Sequence, residues 1–156
     1  MRLREFRQSD FETLYGIDQA CFPPGVSYSR DELAGFIRHP SAATWIAEEN
    51  CEVVGFLIAD REAKGAAHIV TIDVVEGRRR NGVGKALMDA MEAWATRGGL
   101  RLIHLETAEN NRGAQAFYQA RGYRKLETIE GYYADGQAAW VMVKALARNC
   151  RLTIDD

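Results

Sequence analysis

The stretch of this 156-residue chain with the most chemical content is Ile72-Asp73-Val74-Val75-Glu76-Gly77-Arg78-Arg79-Arg80-Asn81-Gly82-Val83-Gly84-Lys85. It leads from a β-type apolar run, through a polar turn bearing glycines, into the start of a helical pattern. Gly82 and Gly84 have no Cβ, so backbone there admits a ligand at close range. The first-turn N–H groups of the helix and the positive end of its dipole point at whatever occupies the turn. Arg78, Arg79, Arg80 and Lys85 supply charge-assisted donors of the kind a phosphate accepts. The chemistry suggested is pyrophosphate binding, although an ordinary helix start with a solvated basic run accounts for a bare Gly-x-Gly equally well. Two rival phosphate motifs fail on spacing. A P-loop requires Ser or Thr after Gly-Lys, where this chain has Ala86, and a dinucleotide fingerprint requires a third small residue where Leu87 stands.

Other chemically capable residues have plain structural explanations when taken one at a time. Asp73 is an acid inside an apolar run and is expected on the wetter face of a sheet. Glu106, after Leu102, Ile103 and Leu105, reads as a carboxylate at a strand end. Tyr118 shares a helix face with Ala114 and Phe117, and packing accounts for it. Asn111 suits a helix cap. His39, His68 and His104 have no Ser, Cys or metal-ligand pattern around them and are expected to be structural, with no metal site. Trp45, Trp94 and Trp140 fall in apolar periodicity and are expected in the core.

The elements that must position these residues form a mixed α/β pattern. Residues 1–6 read as a short strand, and Ser9-Asp10-Phe11-Glu12 has the form of a capping box opening a helix that runs to about residue 20. Pro23-Pro24-Gly25 breaks the chain, and Ser29-Arg30-Asp31-Glu32 repeats the capping pattern before a second helix that ends ahead of Pro40. Three β-rich runs, 43–48, 53–60 and 67–75, form an antiparallel meander. From Gly82 onward Val83, Leu87, Ala90, Met91 and Trp94 recur at helical spacing until Gly98-Gly99 ends the run. A strand over 101–107, a helix over 112–121 and closing strands over 123–130 and 138–146 follow. Strand, helix and strand in succession imply a right-handed crossover and a parallel pair within an otherwise antiparallel sheet.

On these residues a resemblance rests. Arg79-x-x-Gly82-x-Gly84, between a β-run and an amphipathic helix, resembles the acetyl-CoA signature of the GNAT N-acetyltransferases. Asn111-Arg112-Gly113-Ala114-Gln115-Ala116-Phe117-Tyr118-Gln119-Ala120-Arg121-Gly122-Tyr123 resembles a second block of that superfamily. With the order of elements, the likeness runs from residue 1 to about 146. Within the superfamily the chain is similar to bacterial ribosomal-protein-alanine N-acetyltransferases and their protein N-terminal acetyltransferase relatives. Leu105-Glu106-Thr107 leads to Asn111, Tyr118 stands twelve residues after Glu106, and Gly131-Tyr132-Tyr133-Ala134-Asp135-Gly136 resembles a tyrosine-rich hairpin that closes over a peptide. The loop over 22–29 is longer than usual there, with Tyr28 where Trp is common.

The resemblance implies a domain over 1–147 with a C-terminal tail over 148–156. It also implies a mixed, mostly antiparallel sheet of about seven strands with a parallel pair in the middle, flanked by about four helices. Acetyl-CoA would be the cosubstrate, without a metal. Glu106 would be the general base and Tyr118 the general acid. Cofactor contacts would come from Ile72, Asp73, Val74, Arg79, Arg80, Asn81, Gly82, Val83, Gly84, Lys85, Asn111 and Tyr118, with the Val74 N–H polarising the thioester carbonyl. Tyr28, Glu106, Tyr132 and Tyr133 would bind the acceptor, a protein N-terminal α-amine. A small amine as acceptor and a non-catalytic acyl-CoA sensor are the alternatives.

Such a reaction needs a neutral nucleophile and a way to protonate the departing thiolate. At pH 7 roughly one α-amine in seven is neutral, against about one lysine in 2,500, so an N-terminal amine demands less of its base. An ordinary glutamate is a weak acceptor, so Glu106 is expected to need burial that raises its pKa, or a water relay. A tyrosine hydroxyl lies about 1.5 units above a thiol, which favours hydrogen-bond stabilisation of the thiolate with late or concerted transfer.

Composition narrows the field further. With 47% hydrophobic and 27% charged residues in 156, one self-supporting globular domain is expected. Twenty Lys and Arg against 22 Asp and Glu leave a net charge of −2, which removes the long-range field of a nucleic-acid or anionic-membrane binder. Cys21, Cys51 and Cys150 match neither a disulfide framework nor zinc-ligand spacing, so a reducing cytoplasm is the expected compartment. The longest apolar run, 53–59, is far short of a membrane span. The expected assembly is a monomer or weak homodimer.

Overall fold

Two tight turns set the register of the first half of the sheet. Asn50 and Cys51, both at positive φ, turn strand β2 (Ala42–Glu49) back onto β3 (Glu52–Arg61), the mirror-image turn that matches strand twist. Lys64 and Gly65, also at positive φ, then lead into β4 (Ala66–Val74). The computed structural model describes residues 1–147, so the expected tail over 148–156 and Cys150 lie outside the described residues. The remaining elements are β1 (Arg2–Glu5), α1 (Phe11–Cys21), α2 (Arg30–Arg38), α3 (Val83–Arg97), β5 (Leu102–Ala108), α4 (Arg112–Ala120), β6 (Arg124–Ile129) and β7 (Ala139–Ala145). The seven strands form one sheet in the order β1-β2-β3-β4-β5-β7-β6, and β4–β5 is the one parallel pair among them. The expected fold class and the expected parallel pair are both present.

Alternation along the strands divides the core into two layers. Ala47, Leu57 and Ile103 face α3 and α4, which contribute Val83, Leu87, Met88, Met91 and Tyr118. The neighbouring residues Ile46, Phe56 and Ile58 point the other way and pack on Leu14 of α1 and Leu33 of α2. Each large buried side chain contributes about 1.5–3 kcal/mol by area burial, so α3 is the most firmly anchored helix. The three tryptophans sit at the edge of this core instead of within it: all are half-buried, and Trp45 meets Trp94 edge-to-face at 5.4 Å. No helix among the described residues is long and apolar enough to cross a membrane.

Of the two capping boxes expected, one forms. Ser29 accepts from the Glu32 N–H and the Glu32 carboxylate accepts from the Ser29 N–H, opening α2. At α1 the Ser9–Glu12 box is absent. A short 3-10 turn, Gln8–Asp10, precedes the helix, and Asp10 takes both the Arg7 N–H (2.8 Å) and the Arg4 guanidinium (2.9 Å). A buried, bidentate partner for Arg4 outcompetes the local serine–glutamate exchange.

The feature that makes room for a site is a fork in the sheet. The parallel ladder between β4 and β5 consists of Ala66↔Leu102, Ala67↔Ile103 and His68↔His104, and then stops, although both strands continue. Just beyond, Ile58 pairs with Thr71 and Ala59 with Ile69, so Val70 is an extra residue in β4. Such a bulge bends and twists its strand, carrying the end of β4 away from β5. The bent end is held by Gly55 of β3, where an added Cβ would lie 2.8 Å from the Asp73 carbonyl oxygen and 3.0 Å from Val83 Cγ1. Gly55→Ala is therefore expected to lower stability by about 1–3 kcal/mol through overpacking. Urea denaturation checks this, and an unchanged midpoint would refute the close approach.

Candidate active site

A cavity of about 1070 Å³ fills the fork. One wall is β4 from Ile69 to Val74, and the opposite wall is the end of β5, Leu105 to Ala108, with α4 behind it. A volume near the top of the range for small-molecule sites suits an elongated ligand.

At one end lies the turn picked out in the sequence. Gly82, at φ +85°, is the N-cap of α3, so the N–H groups of Val83, Gly84 and Lys85 have no partner inside the helix and face its N-terminal side. Arg79, Arg80, Gly82, Gly84 and Lys85 line the cavity here. Gly84 packs against Phe117, whose Cζ would be 3.3 Å from an added Cβ. Asn111 both caps α4, accepting from the Ala114 N–H at 3.2 Å, and lines the cavity. The Val75 N–H bonds back to Val54 on β3, and a strand's polar groups alternate in direction, so the N–H and C=O of Ile72 and Val74 face the open side of the fork. Orphan amides at a helix start, an unpaired strand edge and flanking cations fit a long diphosphate-bearing cosubstrate.

At the apex of the fork Glu106 lies half-buried. Its carboxylate receives the His68 Nε2–H at 2.8 Å and the Tyr132 hydroxyl at 3.2 Å. A carboxylate only accepts, so the proton of that contact is on His68 Nε2. Burial alone would raise the Glu106 pKa, but the hydrogen bond and charge of His68, with His104 and Tyr132 behind, more than offset it and hold it below the usual carboxylate range. Burial pulls His68 down while Glu106 outweighs that and raises it. Of the two routes expected for Glu106, burial that raises its pKa or a water relay, the first is thus corrected: burial is outweighed by His68, and the two side chains act as a pair. Sequence periodicity could not find His68, because its partner is on another strand.

Tyr118 lies on the far wall of the same cavity, 7% exposed, its hydroxyl pushed up by burial and by the nearby Asp73 and Tyr133. Tyr28 donates its hydroxyl to the Val70 carbonyl at 3.0 Å, and burial raises it as well. Tyr132 is pushed up to about 12 by burial and Glu106. Tyr28, Val70, Tyr132 and Tyr133 surround a small recess next to Glu106 and His68, and the backbone N–H of Ala134 donates to the Gly25 carbonyl at 3.2 Å, joining the turn that carries the two tyrosines to the loop that carries Tyr28. The structure thus brings together Ile72, Val74, Arg79, Arg80, Gly82, Gly84, Lys85, Glu106, Asn111, Tyr118, Tyr28 and Tyr133 on one cavity, with Tyr132 on the adjoining recess. Asn81 is exposed in the turn beside that cavity without lining it.

Two expected contacts point elsewhere. The Val83 side chain is 1% exposed in the core against Gly55, leaving only its backbone at the turn. Asp73 is not on a wet face but 1% exposed beneath α1, accepting from Thr71 Oγ1 at 2.5 Å. Burial and the adjoining Asp18 carboxyl raise its pKa well above the ordinary value. Asp73 Oδ2 and Asp18 Oδ1 are buried and lack any other partner among the described residues. Two carboxyls in contact out of water hold together by sharing a proton.

With this geometry in view, comparisons with known proteins become informative. Residues 11–123 match the sequence profile of the acetyltransferase (GNAT) family. The N-alpha-acetyltransferase of Sulfurisphaera tokodaii is 29% identical over 93% of this chain and 93% of its own length. That of Saccharolobus solfataricus is 27% identical over 92% of each. Among solved structures, Ard1 from Thermoplasma volcanium superimposes with a TM-score of 0.85 at 28% identity, covering 94% of this chain and 98% of that one. The ribosomal-protein-S18-alanine N-acetyltransferase from Escherichia coli, at 20% identity, shares the fold with a TM-score of 0.83 over 95% of both chains.

The acid pair makes stability depend on pH. A carboxyl whose pKa folding has raised contributes stability that is complete below its unfolded value near 3.9 and is lost as pH rises through the folded value. Asp73→Asn keeps a donor for Asp18 and cannot ionise. Its stability relative to the parent should rise as pH increases above the ordinary aspartate range near 3.9. Urea midpoints at increasing pH check the prediction, and parallel profiles for the two proteins would contradict a shared proton.

Proposed function

Starting from a chain that belongs to the acetyltransferase (GNAT) family, we propose that it transfers the acetyl group of acetyl-CoA to the N-terminal α-amine of a protein. As a member of that family it is an N-acetyltransferase, and acetyl-CoA with an amine acceptor are its reactants. The observation that carries the finer reading is the half-buried Glu106 carboxylate bonded to His68 Nε2 at 2.8 Å beside a recess lined by Tyr28, Tyr132 and Tyr133. A pair built from this carboxylate and His68 is suited to an ammonium of low pKa, and the α-amine, near 7.8 against 10.4 for lysine, is the protein amine that meets that condition. The tyrosine-lined recess beside Glu106 and the relatives named N-alpha-acetyltransferase support the same acceptor.

In this reading the turn from Arg79 to Lys85 holds the diphosphate, and the unpaired edge of β4 at Ile72 and Val74 aligns the pantetheine arm with the fork. Glu106 and His68 take up the proton that the α-ammonium gives up. The freed nitrogen pair forms a bond to the thioester carbonyl carbon, with the Val74 N–H hydrogen-bonding the oxygen as charge develops on it. The carbon–sulfur bond then breaks with Tyr118 donating its hydroxyl hydrogen bond to the departing thiolate, and the proton left on the new amide nitrogen passes to that thiolate, giving the neutral amide and the free thiol. Tyr118 is held neutral by burial, so it acts as a donor throughout. Tyr28, Tyr132 and Tyr133 orient the first residue of the acceptor.

Acetyl-CoA with a panel of N-terminal peptides, including Ala-starting ones, and of small amines tests the reading by thiol release. Peptide turnover is expected. Turnover of polyamines or aminoglycosides alone would replace the acceptor, and coenzyme binding with no turnover would replace the activity. Glu106→Gln should lower kcat by about 10²–10⁴ and Tyr118→Phe by about 10²–10³, both with CoA affinity unchanged by calorimetry. Gly82→Val should abolish CoA binding, since a β-branched residue at φ +85° is strained and its side chain intrudes on the diphosphate.

A further inference from the structure

Two histidine–carboxylate pairs lie side by side at the apex of the fork, and one of them uses residues that the acetyl-transfer reading leaves idle. The last rung of the parallel ladder is His68↔His104, so these side chains leave the same face of the sheet as neighbours. Their rings stack at 4.7 Å with 18° between planes. Glu106, next on that face of β5, accepts from His68 Nε2 at 2.8 Å, and Glu62, just past β3, has Oε1 2.6 Å from His104 Nε2. One ligand atom from each of His68, His104 and Glu106 lies within 4.8 Å of the other two. All three are half-buried.

We propose that His68, His104 and Glu106, with Glu62 as a fourth ligand, bind one divalent transition-metal ion of the zinc class, and that its binding blocks acetyl transfer. Two imidazole nitrogens with carboxylate oxygens match the preference of zinc and its neighbours, whereas magnesium and calcium favour all-oxygen sets. The ion would take the place of the hydrogen now lying between each ring nitrogen and its carboxylate, each imidazole binding as the neutral ring through the freed nitrogen. A bound ion then occupies the carboxylate and ring nitrogen assigned to the acceptor's proton. The ligands come from two neighbouring strands and the turn after a third, which is why no ligand spacing is visible along the chain.

The uptake half of the proposal stands independently of the reaction, and the blocking half rests on the acetyl-transfer reading. Equilibrium dialysis of the full chain against ZnCl2 is expected to show one equivalent bound, with no comparable uptake of Mg²⁺. The Co²⁺ complex should show the intense visible bands of a low-coordinate nitrogen and oxygen site without thiolate charge-transfer absorption, which excludes the cysteines as ligands. His104→Ala should weaken zinc binding by about 100-fold, and Glu62→Gln, at the rim, should weaken it less and serves if the alanine variant does not fold. Zinc should inhibit turnover of the parent, with recovery on chelation. Absence of stoichiometric uptake, uptake equal in His104→Ala and the parent, or thiolate bands would each overturn the site. His104-dependent uptake without inhibition would leave the site standing and overturn the placement of the acceptor's base at Glu106.

Discussion

A strand that parts from its neighbour must find other partners for one edge of its backbone, and most of what is distinctive in this molecule follows from that requirement on β4. After His68 the ladder to β5 ends, and the polar groups of the next six residues on that side face a cavity. Buried backbone groups are almost always paired. Protein side chains take two of the carbonyls: the Tyr28 hydroxyl reaches Val70 at 3.0 Å, and both the Cys21 thiol, at 3.4 Å, and Arg79 Nε, at 3.2 Å, reach Val74. The amides of Ile72 and Val74 are left facing the cavity. The fork is therefore a gap in the sheet with an open strand edge along one wall.

The same fork explains why two carboxyls on adjoining strands are driven in opposite directions. Asp73 and Glu106 both leave water, and desolvation raises each. Asp73 meets another acid, Asp18, and is driven further up, while Glu106 meets the imidazole of His68 and is brought down. Burial supplies a common push, and the identity of the nearest ionisable partner decides the sign. A rule based on burial alone would have made Asp73 the better base, yet its side chain faces α1, away from the reacting end.

Much of this architecture is legible in the chain, and most of the illegible part has one geometric origin. Helices and strands follow from local periodicity, and the glycine turn at 79–85 is recognisable because its special backbone is written in Gly82 itself. What escapes is chiefly what depends on pairing between distant segments. Simple alternation puts His68, Val70, Ile72 and Val74 on one face of β4, but the extra residue at Val70 breaks that parity. Val70 stays with the α1–α2 layer, Thr71 and Asp73 join it, and Ile72 and Val74 turn to the α3 side. One inserted residue thus hides Asp73 from a sequence reading that expects it in solvent. His68 escapes for a related reason, since only the parallel register sets it beside His104 and opposite Glu106. The Ser9 box fails for a more local reason, since Arg4 and the Arg7 N–H, both within six residues, claim Asp10 and set a 3-10 turn ahead of α1.

The buried acid pair also joins the two halves of the site. Asp18 on α1 accepts the Tyr28 N–H at 2.8 Å through one oxygen and turns the other toward Asp73 on β4. Tyr28 in turn reaches β4 through its hydroxyl, and the same loop meets the 131–136 turn where Gly25, at φ +91°, brings its backbone against Asp135. An added Cβ on Gly25 would lie 2.9 Å from the Asp135 backbone nitrogen, so the loop lies flush on that turn only because residue 25 has no side chain. A chain of contacts therefore runs from the strand edge facing the cavity, through a shared proton, to the loop and the turn that border the recess beside Glu106. Ionising both acids would place two like charges in a site closed to water, and the strand and the loop are what would have to separate to relieve it. Replacing either acid by an apolar residue would leave the other buried without its partner, so Asp18 and Asp73 act as one structural unit that ties the cavity-facing strand to the loop bearing Tyr28.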